Sequence, residues 1–160
     1  MIGSAEVIIR AAGEGERRWF YGGGVHTWKC TAEETGGAFA LLEDVMTEGK
    51  TTPLHRHPDC DEAVYVLEGA LILQVEGEDH AVGPGGFAVV PRGTEHALLV
   101  TSPTARVLAF MAPGGTDRFF LEASVPTDDT ADGIVDFDRV RESAERTGSV
   151  EILGPPPFVG

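Results

Sequence analysis

The feature that most restricts this chain is that its apolar residues come in short runs, each cut off by glycine or proline. Twenty-one glycines and ten prolines are scattered through 160 residues without a regular period. Both residues disfavour helix interiors. Short runs of Val, Leu, Ile, Phe and Ala at close spacing between turn residues therefore read as strands of a sandwich or barrel.

The predicted strands are Ala5–Ile9, Arg17–Tyr21, Val25–Thr31, Ala38–Met46, Glu62–Leu67, Leu71–Val75, Asp79–Val82, Phe87–Val90, His96–Val100 and Val107–Met111. Gly22-Gly23-Gly24 separates the second from the third, and Glu68-Gly69 reads as a hairpin turn between Leu67 and Leu71. This many short strands can close a barrel or form two packed sheets, so the expected class is all-β.

The pattern changes after Ala112. Asp117–Ala123 is expected to be a short helix capped by Thr116 or Asp117, and Thr127–Gly133 an acidic loop. Asp136–Thr147 places Phe137, Val140 and Ala144 on one helical face, with Gly148 as the stop. Gly154-Pro155-Pro156-Pro157 is not expected to join a ladder. With no internal repeat, the expectation is one barrel over residues 1–112. Residues 113–160 are expected to form a helical, acidic C-terminal extension packed on it.

A formal net charge of −14 argues against nucleic acid or an anionic membrane surface as partner, since both require a basic patch. No run approaches the roughly 20 apolar residues of a membrane span. Met1–Arg10 contains Glu6 and lacks a long apolar run, which does not fit a signal peptide. Two cysteines, Cys30 and Cys60, make no disulfide framework. A soluble cytoplasmic protein is expected.

Three of the five histidines fall in two patterned segments, Gly49–Gly69 and Gly85–His96. His55 and His57 are two apart and share a face of any strand that holds both. Glu62 stands at an odd offset, which Pro58-Asp59 can correct by breaking the strand. His96 follows the Pro91-Arg92-Gly93 turn on a separate strand. Three imidazoles and a carboxylate meeting inside a barrel suit one divalent transition ion (Fe, Mn, Ni, Co, Cu or Zn). His26 and His80 have no such partners, and both are expected at the surface. Cys60 lies between ligand positions and is expected to play no part. Phe39, Leu41, Val64, Val66, Phe87 and Leu98 are candidates for core or pocket.

The two segments resemble the paired motifs of the cupin superfamily. The first fits Gly49, five residues, His55-x-His57, four residues, Glu62, six residues, Gly69. The second fits Gly85, five residues, Pro91-x-Gly93, two residues, His96. The family's second motif usually continues to an Asn, where this chain has Val100, a position that is not a metal ligand. The resemblance implies a double-stranded β-helix, or jelly-roll barrel, with His55, His57, Glu62 and His96 on the metal. It also implies a homodimer, and the apolar first strand Ala5–Ile9 is a candidate to cover a sheet edge.

The chain is further similar to small quercetin dioxygenase-like cupins in Thr35–Phe39, Phe119-Phe120 and the tail ending in Gly154–Pro157. That likeness implies a dioxygenase acting with O2 on a flavonol-like or other enolisable aromatic substrate, with Glu62 as catalytic base. Cupins also include cyclases and isomerases that use an ion such as Zn as a Lewis acid on polyketide-like substrates. Sugar-phosphate isomerases and non-catalytic small-molecule binders are further alternatives. Scarcity of basic residues in the barrel disfavours a phosphate site, and the lack of a basic DNA-reading helix disfavours a sensor attached to DNA.

Overall fold

A computed structural model describes residues 6–129 and 132–158. The chain opens with β1 (Glu16–Phe20), β2 (Gly24–Cys30), β3 (Ala40–Thr47) and β4 (Leu54–Arg56). It continues through β5 (Asp61–Glu68), β6 (Leu71–Val75), β7 (Glu78–Val82), β8 (Phe87–Val90), β9 (His96–Val100) and β10 (Thr104–Ala112). After these come α1 (Asp117–Ala123), β11 (Val125–Pro126), α2 (Phe137–Thr147) and β12 (Glu151–Gly154). The strands form a seven-stranded sheet, β11-β1-β2-β3-β10-β5-β8, and a five-stranded sheet, β12-β4-β9-β6-β7. Every pairing is antiparallel. The all-β class expected from the punctuated runs holds.

Period-two patterning closes the two sheets over one core. On β3, Ala40, Leu42 and Met46 are buried while Val45 is exposed. On β6, Leu71 and Leu73 point inward. Met46, Val64, Val66 and Val107 of the larger sheet pack with Leu71, Leu73 and Val100 of the smaller one. Each such side chain contributes about 1.5–3 kcal/mol by leaving water.

Two expectations about strands fail. Ala5 lies outside the described residues, and residues 6–9 form no strand. Val7 and Ile9 are 89% and 87% exposed. The edge of β1 that such a strand would use is already taken by β11. Glu68-Gly69 is a corner and not a hairpin: β5 pairs with β10 and β8, whereas β6 pairs with β7 and β9. The chain changes sheets there. Gly69 has φ +80°, and a Cβ on it would collide with the Thr104 carbonyl oxygen.

The segment after Ala112 joins both sheets, through β11 on β1 and β12 on β4. Gly154 pairs with Leu54, so the ladder reaches the residue before the prolines, contrary to expectation. α1, just before β11, and α2, between β11 and β12, bury Phe119, Ala123, Val140 and Ala144 against Phe20 and Val150. The ends of α2 follow from its sequence. The Asp136 carboxylate accepts from the Asp138 N–H at 2.9 Å, and Gly148, at φ +65°, donates its N–H to the Ala144 carbonyl. At α1 the expected side-chain cap is absent. The Thr116 hydroxyl donates to Cys60 Sγ at 3.1 Å, and the Asp117 carboxylate accepts from the Ala32 N–H at 2.8 Å, so both tie the helix start to the barrel.

Candidate metal centre

His55 lies on β4, directly opposite His96 at the start of β9. His57 follows the end of β4, and the bend at Pro58-Asp59 carries the chain to Glu62 on β5 in the other sheet. That crossing resolves the odd offset of Glu62: it faces the histidines from the opposing sheet. One ligand atom from each of His55, His57, Glu62 and His96 lies within 4.8 Å of all the others, in an arrangement that can hold a metal ion. The His55 and His96 ring centroids are 4.3 Å apart.

Backbone carbonyls set two tautomers. His55 Nδ1 is 2.8 Å from the Pro53 oxygen, and His96 Nδ1 is 2.9 Å from the Thr94 oxygen. A carbonyl only accepts, so each Nδ1 carries hydrogen and each Nε2 is turned toward the cluster. This is the outer support that metal-binding imidazoles use. Glu62 Oε2 lies 3.1 Å from His96 Nε2 and 2.9 Å from His57 Nε2. The second contact lacks the alignment of a hydrogen bond, and neither nitrogen of the buried His57 ring has a hydrogen-bond partner.

The electrostatics match a site that competes for a cation. Burial, then repulsion from His96 and His57, pushes the His55 imidazole down to about 3, so it is neutral at physiological pH. Burial pushes the Glu62 carboxyl up, but the close charge of His57 and the charge and hydrogen bond of His96 outweigh it, leaving Glu62 ionised well below the usual range. Burial pushes His96 down, and the Glu62 hydrogen bond and charge more than offset this, so its proton is held above the usual imidazole range. A neutral imidazole, an orphaned buried imidazole and an ionised carboxylate fit a divalent ion of borderline softness.

The cluster opens on a cavity of about 90 Å³. Leu42, Val64, Leu73, Leu98 and Val107 give it an apolar wall, and Phe20 and Phe120 are part of its lining. A second space of about 50 Å³ shares Phe20, Lys50, His55 and Phe120 with the first and reaches His57, Phe119, Val140 and Ile152. The helical segment thus forms a wall beside the site.

His26 is a correction to the sequence reading. It is 2% exposed and lines the cavity, stacked on Phe20 at 4.6 Å between centroids and set edge-on to Phe120 at 5.7 Å. Its alternation with the buried Trp28 was the available signal. Asp44, Lys50 and Phe20 also line the cavity and carried no recognisable pattern, and Phe120 of the Phe119-Phe120 run lines it with them. His80 is exposed. Cys60 is buried outside the cluster, with its thiol pushed up chiefly by burial. Of the pocket candidates, Val64 and Leu98 line the cavity, and Val66 lies in the core. Phe87 is 61% exposed, and Phe39 packs on Phe110.

Residues 42–112, which carry all four clustered side chains, match the family model described as a cupin domain. These residues thus form a cupin domain, and the chain resembles the quercetin dioxygenase-like cupins. It is similar to quercetin 2,3-dioxygenase of Bacillus subtilis (strain 168), with 31% identity over 117 residues, 73% of this chain and 34% of that protein. The chain therefore spans about a third of that relative's length. Two solved structures share the fold. An RmlC-like cupin from Shewanella frigidimarina superposes with a TM-score of 0.62 at 16% identity, covering 70% of this chain and 96% of the other. The polyketide cyclase RemF from Streptomyces resistomycificus does so with a TM-score of 0.59 at 24% identity, covering 67% and 80%.

Proposed function

We propose that this chain is a metal-dependent dioxygenase acting on an enolisable aromatic substrate, with His55, His57, Glu62 and His96 as ligands and Glu62 as catalytic base. The observation that carries the reading is the convergence of these four side chains on one another beside a cavity with an apolar wall, which His55, Glu62 and His96 line, and the quercetin dioxygenase relative supports it. A divalent ion there supplies a Lewis-acidic site for an ionised substrate hydroxyl and, where it is redox-active, reactivity toward O2. The protein's own contribution is positional. The Pro53 and Thr94 carbonyls hold two imidazoles in orientation, and Phe20 and Phe120 screen the site from water. Glu62, ionised and in the cavity lining, takes the hydroxyl proton. The cavity is smaller than the roughly 300–1,000 Å³ of drug-sized ligand sites. This favours a single-ring substrate, or the reactive end of a larger one, over a fully enclosed flavonol.

The purified chain is expected to carry about one equivalent of Fe, Mn, Ni, Co or Cu. It is also expected to consume O2 in step with an enolisable phenol, as read with an oxygen electrode. Turnover of such a compound by a zinc-loaded chain without oxygen uptake would replace this reading with Lewis-acid cyclisation or isomerisation.

A homodimer is part of the same reading. Phe110 on β10, Tyr65 on β5 and Phe87 and Val89 on β8 are exposed together on the outer face of the larger sheet. Light scattering is expected to give twice the chain mass, and a monomer ends this part of the proposal. Cys30 and Cys60 are both free, which supports a reducing, cytoplasmic setting. No described helix is long and apolar enough to cross a membrane.

A further inference from the structure

Three polar side chains in the cavity wall have no role in the reading above. His26 on β2, Asp44 on β3 and Lys50 between β3 and β4 all line the cavity, outside the four-residue cluster. His26 and Asp44 are register partners, and His26 Nε2 lies 3.5 Å from Asp44 Oδ2. Lys50 Nζ is 3.8 Å from the same oxygen, near enough for charge attraction and too far for a hydrogen bond. Lys50 is only 4% exposed, and its Nζ has no hydrogen-bond partner; nor do Asp44 Oδ1 and His26 Nδ1.

A lysine kept here only for stability would close on the carboxylate, because a buried ammonium with bare donors is costly. The surroundings instead hold it slightly apart. The Phe20 ring lies 5.1 Å from Nζ, in cation–π range. Gly24 leaves the slot that Nζ occupies: a Cβ there would overlap Nζ and stand 3.1 Å from Asp44 Oδ1. Burial pushes the Asp44 carboxyl up, but Lys50 and His26 more than offset it, so the anion that retains the ammonium persists below the usual carboxylate range.

We propose that Lys50 anchors an anionic oxygen of the substrate, a carboxylate, phenolate or enolate on a small aromatic molecule, with Asp44 and His26 as positioning residues. This rests on the reading of the cavity as the substrate site. With a divalent ion at the histidines, Glu62 and Asp44 ionised and Lys50 charged, the lining keeps a net positive charge that a monoanion neutralises. A dianion would meet Asp44. The apolar remainder of the wall, with Phe20 and Phe120, suits a ring.

The test is calorimetric binding of benzoate, of 4-nitrophenolate at a pH where it is ionised, and of neutral benzamide to the full chain. Lys50→Met is expected to weaken the anions about tenfold to a hundredfold, with benzamide and metal content unchanged. Gly24→Ala, which keeps the charge but fills its slot, is expected to shift anion affinity in the same direction. Lys50→Met/Asp44→Asn removes both charges and serves if the single variant misfolds. A loss confined to benzoate assigns the site to carboxylates, and a loss confined to 4-nitrophenolate assigns it to phenolates and enolates. Equal anion affinity in wild type and the double variant, or an equal loss for benzamide, overturns the proposal. The same comparison in a His96→Ala background separates the two readings. Dependence on Lys50 that survives there supports the anchor without the metal, whereas anion binding that follows His96 alone leaves the metal reading intact and removes the anchor.

Discussion

His96→Ala is expected to bind a divalent ion more than about a hundredfold more weakly than the wild-type chain, since loss of an outer-shell partner alone typically costs about 10–100-fold. The reason lies in the position of His96, whose Nδ1 is fixed by Thr94 and whose Nε2 meets Glu62 at 3.1 Å. Removing the ring takes away a preset donor and leaves Glu62 one imidazole short. His55→Ala is expected to behave alike, because its Nε2 is turned in by the Pro53 carbonyl and its ring is neutral without help from the ion. Elemental analysis after dialysis and competition titration with a chromogenic chelator give the measurement, with exposed His80→Ala as the unaffected control. Wild-type occupancy in both ligand variants would remove the metal assignment. The proton held by His96 adds a pH signature. The ion must displace it, so affinity falls as pH drops through the raised range of that imidazole.

Glu62→Gln, compared at matched metal occupancy, is expected to lower kcat by about 10²–10⁴. The amide keeps the shape and one oxygen for coordination, so some metal is retained, but it takes no proton. Glu62 is only 15% exposed at its side chain and is ionised between two imidazoles, so solvent is poorly placed to replace it. Undiminished turnover would end its role as base while leaving it as a ligand.

The motif residues were legible because spacing alone limits them. Residues two apart share a strand face, and Pro58-Asp59 offered the break that Glu62 needed. What the sequence hid was phase and partnership. Phe87 read as inward because β8 is apolar on both faces, and Val90 fills the inner position instead, whereas Phe39 falls just outside β3 and packs on Phe110. The Lys50–Asp44 pair joins residues from a strand and a loop, which no period connects. The corner at Gly69 resembles a hairpin locally, and only the pairing of β5 with β10 and β8 distinguishes them. Val125–Pro126 and Glu151–Gly154 are too short to read as strands without the edges of β1 and β4 to receive them.

The way β11 and β12 finish the two sheets has a consequence for biosynthesis. All four clustered side chains lie between residues 55 and 96, and the wall beside them comes from residues 117–154. A nascent chain therefore carries the complete donor set before it carries the wall. Until the later residues leave the ribosome, β1 and β4 are bare edges open to stray pairing. The order of translation thus leaves the candidate donors without their wall until the two short strands dock and cover both edges.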